Sequence, residues 1–517
     1  MFLTYQTKLK NEIIVLQNGE TENAYNYFVS YAHYFGKLER KLFVDLYVRR
    51  NQANAMKKLY CAQYQITSRQ YNSIKSQLDG RVQSKKELQK LYIEERKQKI
   101  KHLQGILERK ALLKQSSHEQ LLKMKGNEKS FPKKVKNYRR LRMYIHQKKR
   151  KIHQLQLKLA VLKKDVETGV IRLCFGSKLL FKKQFHLEAN NLTFAGWKKQ
   201  WQEKRAEQFT FVGSKDETYG NQSCTYDSEN NLRIRVTSKD ESKYGKYIIV
   251  PNVLFPYGQV ELDKAKIPYV SYTKGKGEKK NYYKALTCKF IQKNNQWYLN
   301  MSVDVQEPEV QTIEDNGAIG VDFNVNFLAV SEVDRYGNYL TSFNIPFKGY
   351  QVSSEQAKQS LSEALKVVTE YALEKQKPII REELEFKKKK LQLKEFSTKQ
   401  ARMLSGLSYS MYKNMLDTKC KKIGVAISSV NPAFTSQIGH HKFMRRYGLS
   451  SHESAAMAIA RKGLQFKRTE KVPASHILKN QIKVSTKKRT NQWAELTKQW
   501  KTYSFKQKNY LLCNTMN

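Results

Sequence analysis

Residues 320–330, GVDFNVNFLAV, set a carboxylate, Asp322, in the middle of an otherwise apolar run. With its flanks the run reads as a strand over 318–333, AIGVDFNVNFLAVSEV. An unpaired carboxylate buried there would be costly. A salt bridge or a solvent-facing position would account for Asp322 without chemistry; a bound metal would account for it with chemistry. Next, DRYGN (334–338) reads as a turn and YLTSFNIPF (339–347) as a second strand, so a hairpin opens this region. A helix follows, with Leu361, Ala364, Leu365, Val368 and Ala372 on one face. Pro378 then leads into the strand PIIREELEF (378–386). Another helical pattern, a strand KIGVAISSV (422–430) and a helix HESAAMAIARKGL (452–464) complete a mixed α and β series.

Hydrolysis of a phosphodiester by two divalent metals needs carboxylates converging from separate strands. Hard oxygen ligands suit Mg²⁺, which keeps some waters and shares phosphate oxygens. In PIIREELEF three carboxylates compete: Glu382, Glu383 and Glu385. Strand parity groups Glu382 with Ile380 and Leu384, and Glu383 with Ile379 and Glu385, and does not choose between them. In SHESAAMAIARKG (451–463), His452, Ala455, Ala456 and Ile459 share a helix face, and the alanines allow a close approach to the sheet. A histidine on such a face is also a satisfied core residue in many helices. Glu453 lies about 100° further around the helix.

The preceding part of the chain has two textures. Residues 1–17 read as a lone strand ending at the polar break Asn18-Gly19. From about 24 to 165 the period is helical: Phe28, Tyr31, Ala32, Phe35, Leu38 and Leu42 form one stripe, and Ile152, Leu155, Leu159 and Leu162 another. Between them run the basic stretches SKKELQKLYIEERKQKIKHLQ (84–104) and KKVKNYRRLRMYIHQKKRKIH (133–153). One such helix is explained by solvation, but several in succession suggest a phosphate-facing lobe. Near residue 170 the period changes to two. LRIRV puts Leu232, Ile234 and Val236 opposite Arg233 and Arg235, and residues 284–305 read as a hairpin turning at Asn294-Asn295. Residues 168–312 are therefore largely β. Within them Trp197, Trp201, Phe209 and Phe211 suit core packing, or stacking on bases.

The charge points to a polyanionic partner. The 517 residues carry 96 Lys and Arg against 46 Asp and Glu, a net charge of +50. Such a charge repels itself unless phosphates displace their counterions onto it. A hydrophobic fraction of 40% suffices to bury cores, and no apolar run of about 18 residues suggests a membrane span. No signal-peptide pattern opens the chain, so a cytoplasmic protein is expected. The cysteines at 61, 174, 224, 288, 420 and 513 include no CxxC pair, so no structural zinc is expected, and His440-His441 lack cysteine partners in sequence.

The order of a hairpin with Asp, a helix, a strand with Glu and an Ala-rich helix resembles the split RuvC motifs of TnpB-like RNA-guided endonucleases of insertion-sequence transposons, relatives of type V CRISPR effectors. GVDFNVNFLAV is similar to the first motif, with its Asp at Asp322. IIREELEF is similar to the second, with its Glu at Glu382. NPAFTSQIG (431–439) resembles the Thr-Ser segment before the third. CFGSKLLFKKQ (174–184), GWKKQWQEKR (196–205) and FVGSKDETYGNQ (211–222) also look like one branch of such proteins. The chain departs from the family twice. GHHKFMRRYG (439–448) stands where a four-cysteine zinc module is common, and aligning SAA with the third motif puts His452 at an Asp position.

The resemblance implies a multidomain α+β fold. Residues 1–20 and 168–312 would form a β-rich wedge-like barrel, 21–167 a helical recognition lobe, 313–466 a RuvC-like (RNase H-type) α/β nuclease domain, and 467–517 a loosely ordered basic tail. It implies Asp322, Glu382 and His452 as catalytic residues and metal ligands, Mg²⁺ (or Mn²⁺) as cofactor, and a structured guide RNA. The partner would be double-stranded target DNA with a short flanking motif, and the setting a prokaryotic cytoplasm, nucleoid-associated when DNA is bound. Two rivals share most of these features: a nuclease-dead RNA-guided repressor, with His452 as the mark of a lost site, and an RNA-independent transposase.

Overall fold

The computed structural model describes residues 1–9, 13–124, 126, 129–272, 279–349, 351–383, 409–466 and 489–503. The chain divides into two units, Met1–Gln306 and Glu307–Asn517. The first opens with β1 (Phe2–Lys8), β2 (Ile13–Leu16) and β3 (Thr21–Asn23), then helices α1 (Ala24–Phe43), α2 (Ala53–Tyr64), α3 (Ser68–Leu122) and α4 (Phe131–Glu167). Helices α5 (Lys178–Lys183) and α6 (Phe194–Lys204) lead into β4 (Gln208–Phe211), β5 (Cys224–Tyr226) and β6 (Leu232–Arg235). There follow α7 (Glu241–Tyr244), β7 (Tyr247–Val250), α8 (Gln259–Ala265), and two hairpins, β8 with β9 (Tyr269–Tyr272, Lys279–Tyr282) and β10 with β11 (Leu286–Lys293, Gln296–Asp304).

Period-two alternation builds the sheets. Leu286, Cys288 and Phe290 pair with Val303, Met301 and Leu299, and all of them are buried. Asn294 and Asn295 close that hairpin with φ of 49° and 57°, a left-handed pair that asparagine tolerates. The strand orders are β1-β11-β10-β4 and β3-β2-β7-β6-β5. Helix α1, capped by the Asn23 side chain, buries Phe28, Phe35 and Leu38 in one core shared with both sheets. Helix α3 starts from a Thr67–Gln70 capping box and runs 55 residues, about 80 Å. It meets α4 along a narrow seam of Ile100, Leu103, Ile152 and Leu155.

The second unit contains β12 (Ala318–Phe323), β13 (Phe327–Val333), β14 (Tyr339–Pro346), α9 (Ser354–Glu374), β15 (Ile379–Glu382), α10 (Tyr409–Ile423) and β16 (Ile427–Val430). Helices α11 (Thr435–Ile438), α12 (Ser451–Gly463) and α13 (Arg489–Thr502) follow. The sheet order is β14-β13-β12-β15-β16. Strands β12 to β14 form an antiparallel meander; β15 is parallel to β12, and β16 to β15. Parallel neighbours need crossovers, which α9 and α10 supply. Those helices cover Ile319, Val321 and Ile379 on one face, while Met457 and Ile459 of α12 join Ala318, Ile380 and Val430 on the other.

Helix α12 lies unusually near the sheet. A Cβ on Gly320 would stand 1.9 Å from the Ala456 carbonyl oxygen, and one on Gly463 would stand 2.5 Å from Ile380 Cγ1. Small residues on both surfaces are what allow this seating.

Three expectations change. Residues 1–17 are not one strand: β1 joins one sheet and β2 the other, so the apolar alternation serves two cores. Among the described residues the strands of the first unit form open sheets rather than a closed barrel. The tail is not featureless either, since α13 buries Trp493 and Leu496 against the α12 side of the second sheet. No helix among the described residues is long and apolar enough to cross a membrane.

Gly320→Ala should therefore destabilise the Glu307–Asn517 unit by roughly 1–3 kcal/mol through overpacking. Gly80→Ala, on exposed α3 with nothing within 4 Å of an added Cβ, should instead stabilise its helix by about 0.5–1 kcal/mol. Urea unfolding of both variants reads the difference; an unchanged midpoint for Gly320→Ala would contradict the close seating.

Candidate active site

The sheet register brings the sequence-predicted carboxylates together. On the parallel strands β12 and β15, Ile319 pairs with Ile379, Gly320 with Ile380 and Val321 with Arg381. The next step along sets Asp322 beside Glu382, at the ends of strands about 4.8 Å apart. By alternation both share the face of Gly320 and Ile380, which α12 covers. Glu383 falls on the opposite parity, is exposed, and gives its backbone N–H to the Val430 carbonyl. Glu385 lies outside the described residues.

Helix α12 brings the third group. Its capping box, in which Ser450 and Glu453 satisfy each other's backbone N–H, fixes where the first turn begins. Glu453 thus has a capping role, and its carboxylate also accepts from Asn344 Nδ2 at 3.2 Å. One residue before it, His452 Nδ1 stands 3.0 Å from Asp322 Oδ2, with its ring edge-on to Phe327 at 5.2 Å. The His452 side chain is 47% exposed and that of Asp322 17%. The hydrogen bond to Asp322 holds the imidazole above its ordinary value, against the opposing effect of partial burial.

Sequence reasoning missed the groups that aim these side chains. Asn324 Nδ2 donates to Asp322 Oδ2 at 3.2 Å. The buried Thr435 hydroxyl donates to Glu382 Oε1, and the Tyr409 hydroxyl to the Glu382 carbonyl. Phe434, immediately before Thr435, adopts a left-handed φ of 66°, and Lys462 Nζ ties down this turn through the Asn431 and Ala433 carbonyls at 3.2 and 2.5 Å. The segment NPAFTSQIG was recognisable by resemblance, but nothing in its pattern marks Thr435 as the partner of Glu382. Arg381, buried on the opposite face, is held by Asp417 at 2.8 Å and by Ser429.

The donor set fits a hard divalent cation. Mg²⁺ takes one or two carboxylates and completes its shell with water and substrate phosphate, which two adjacent strand-end carboxylates allow. As the side chains stand, the described residues include no cluster of three or more His, Cys, Asp or Glu able to hold an ion. His452 would have to leave Asp322 to become a third ligand. His440 and His441 lie elsewhere, against Trp500, where burial beside His440 pushes His441 down to about 3. The described cysteines are free thiols, and Cys513 lies outside the described residues.

No family model and no curated protein matches this sequence. Among solved structures, the chain is similar to the T. thermophilus RuvC in complex with Holliday junction substrate, at 16% identity over 29% of this chain and 94% of that one, with a TM-score of 0.22. It is also similar to a Cas12f1-sgRNA-target DNA complex, at 10% identity over 90% of this chain and 100% of that one, with a TM-score of 0.23. A CRISPR-Cas12f ternary complex gives 12% identity over 89% and 98%, with a TM-score of 0.20.

Because the native value of His452 is raised, its pairing with Asp322 stabilises the fold fully below the unfolded value of about 6.5 and is lost as pH rises through the native value. In metal-free protein, Asp322→Asn should lower the His452 midpoint seen by NMR and should reduce stability at pH 5.5 more than at pH 9. An unmoved midpoint would show that the contact does not form in solution.

Proposed function

We propose that this protein is an RNA-guided DNA endonuclease of the TnpB type, with Asp322, Glu382 and His452 as its hydrolytic centre. The observation that carries the reading is the side-by-side placement of Asp322 and Glu382 on parallel strand ends, with His452 in contact with Asp322. The ordered RuvC-like motifs support it. The charge of +50 supports a large phosphate-binding duty, in which 21–167 serve as recognition lobe, 1–20 and 168–312 as the wedge-like body, and 313–466 as the nuclease.

Asp322 and Glu382 would hold divalent metal, Mg²⁺ or Mn²⁺, which supplies Lewis-acid charge to a phosphoryl oxygen and a more acidic water. The protein's own part is preorganisation. Asn324 fixes the Asp322 carboxylate, and Thr435 fixes that of Glu382. His452, as an imidazolium, would offer a charge-assisted hydrogen bond to a non-bridging phosphate oxygen. As a neutral ring it would be a further ligand. The pairing of His452 with Asp322 is also the observation that favours the rival reading, a nuclease-dead repressor whose imidazolium replaces the metal's charge.

The test is Mg²⁺- or Mn²⁺-dependent cutting of a plasmid matched to the RNA that remains on the purified protein after a high-salt wash. Asp322→Ala and Glu382→Ala should each lower cleavage about a hundredfold or more with target binding retained. Thr435→Val should cost about tenfold, as expected for a group that orients a ligand, and Glu383→Ala should cut nearly as the parent does. Target binding without any cutting by the parent would establish the repressor. Normal cutting by Asp322→Ala would place the active site elsewhere, and the absence of any defined RNA would remove the guide.

A further inference from the structure

In the first unit, α3, α6 and the strands β4 and β10 line an open cavity of 1120 Å³. Arg81, Arg205 and Lys289 line it, with Lys85 and Lys178, and none of the described lining residues is acidic. Of the neighbouring carboxylates, Glu39 is buried and already engaged by Arg81 at 2.9 Å and Gln77 at 3.1 Å, Glu207 is engaged by Lys204, and Asp165 by Arg172. Arg205 Nε is buried with no hydrogen-bond partner among the described residues. Burial, with Arg81 nearby, pushes Lys289 below its ordinary value, and burial does the same to Arg205. Several cations are thus crowded together beside carboxylates that are already engaged. Such an arrangement is strained when empty and relieved by an anion.

The same cavity offers ring faces. Phe209 and Phe211 are sealed in the core and Trp197 is buried, with its Nε1–H donated to the Leu180 carbonyl. Trp201 is half-buried and lines the cavity with Phe175 and Phe181; its ring stacks on Trp197 at 6.0 Å and Arg205 lies over it at 5.4 Å, so a base would take the place that Arg205 leaves when it turns to a phosphate. Cations beside a half-buried indole match a phosphate beside an unstacked base. A paired, stacked base in a duplex presents no such face. The volume, slightly above the roughly 300–1,000 Å³ typical of small-molecule sites, suits one or two nucleotides.

We infer that this cavity captures an unpaired nucleotide of a nucleic-acid strand, with its phosphate on Arg81, Arg205 and Lys289 and its base on Trp201. The inference deepens the reading above, on which it rests only for the presence of a nucleic-acid strand. It makes no use of the carboxylate edge.

The experiment measures binding in EDTA, so that a failed nuclease reading leaves it intact. Full-length protein stripped of nucleic acid is titrated with fluorescein-labelled ten-nucleotide oligo(U), oligo(dT) and a ten-base-pair RNA duplex. Trp201→Ala should weaken the preferred single strand about fivefold or more. Arg205→Met and Lys289→Met should do likewise and lower the salt slope by about one each. Lys289→Met should at the same time raise the melting temperature of the free protein, an opposite movement that a purely structural lysine would not give. Gly80→Glu puts a carboxylate at the cavity lip, where an added Cβ meets nothing within 4 Å, and should weaken binding without unfolding. Whether oligo(U) or oligo(dT) binds better identifies the strand as RNA or DNA. Single-strand binding within about twofold of the parent in all four folded variants, or equal losses for single strand and duplex, would overturn the assignment.

Discussion

Helix α12 can reach the sheet only because Gly320 has no side chain where the Ala456 carbonyl oxygen stands. The contact sets the depth of the helix, and the Ser450–Glu453 box sets its start. Depth and start together fix His452 over the end of β12. One backbone approach therefore governs both the core on that face and the imidazole's distance to Asp322. Any residue larger than glycine at 320 would lift the helix, and His452 would move with it. The alanines at 455, 456, 458 and 460, all buried, serve the same end from the other side.

Charge is distributed unevenly for a physical reason. In the second unit, buried charges away from the sheet end are matched: Glu332 takes Lys377 and the Tyr371 hydroxyl, and Arg381 takes the half-buried Asp417. A buried ion must be paired or hydrogen-bonded, because breaking such a pair leaves an uncompensated charge. Asp322 and Glu382 are held instead by a neutral amide, a hydroxyl and a titratable imidazole, partners that can be exchanged. In the first unit the imbalance has the opposite sign, with cations outnumbering the carboxylates near them. On the reading proposed above, both are places where an external charge would bind.

Much of the secondary structure was legible because periodicity reports burial directly. The stripe of Leu361, Ala364, Leu365, Val368 and Ala372 is the buried face of α9, and the 284–305 hairpin turns where Asn-Asn permits positive φ. Parity could not rank Glu382 against Glu383, since each alternates equally well; only the register of β15 on β12 assigns their faces. Thr435 was invisible for the same kind of reason: its contact spans 53 residues and leaves no local pattern. The division of residues 1–17 between two sheets was missed because an alternating strand looks the same whichever core it joins. The tail misled through composition, because its basic average hides the spacing of Trp493, Leu496 and Trp500 along one helix face.

The central proposal is that a divalent cation binds at Asp322 and Glu382, beside His452, and the most direct measurement locates the ion itself. Fe²⁺ bound in place of Mg²⁺, with ascorbate and peroxide, generates hydroxyl radicals that cut the nearest backbone. The account predicts cuts near 320–324, 380–383 and 450–454, suppressed by excess Mg²⁺ and absent when Asp322 and Glu382 are both replaced by alanine. Cuts confined to other segments, or cuts at these three that ignore both Mg²⁺ and the double replacement, would contradict it.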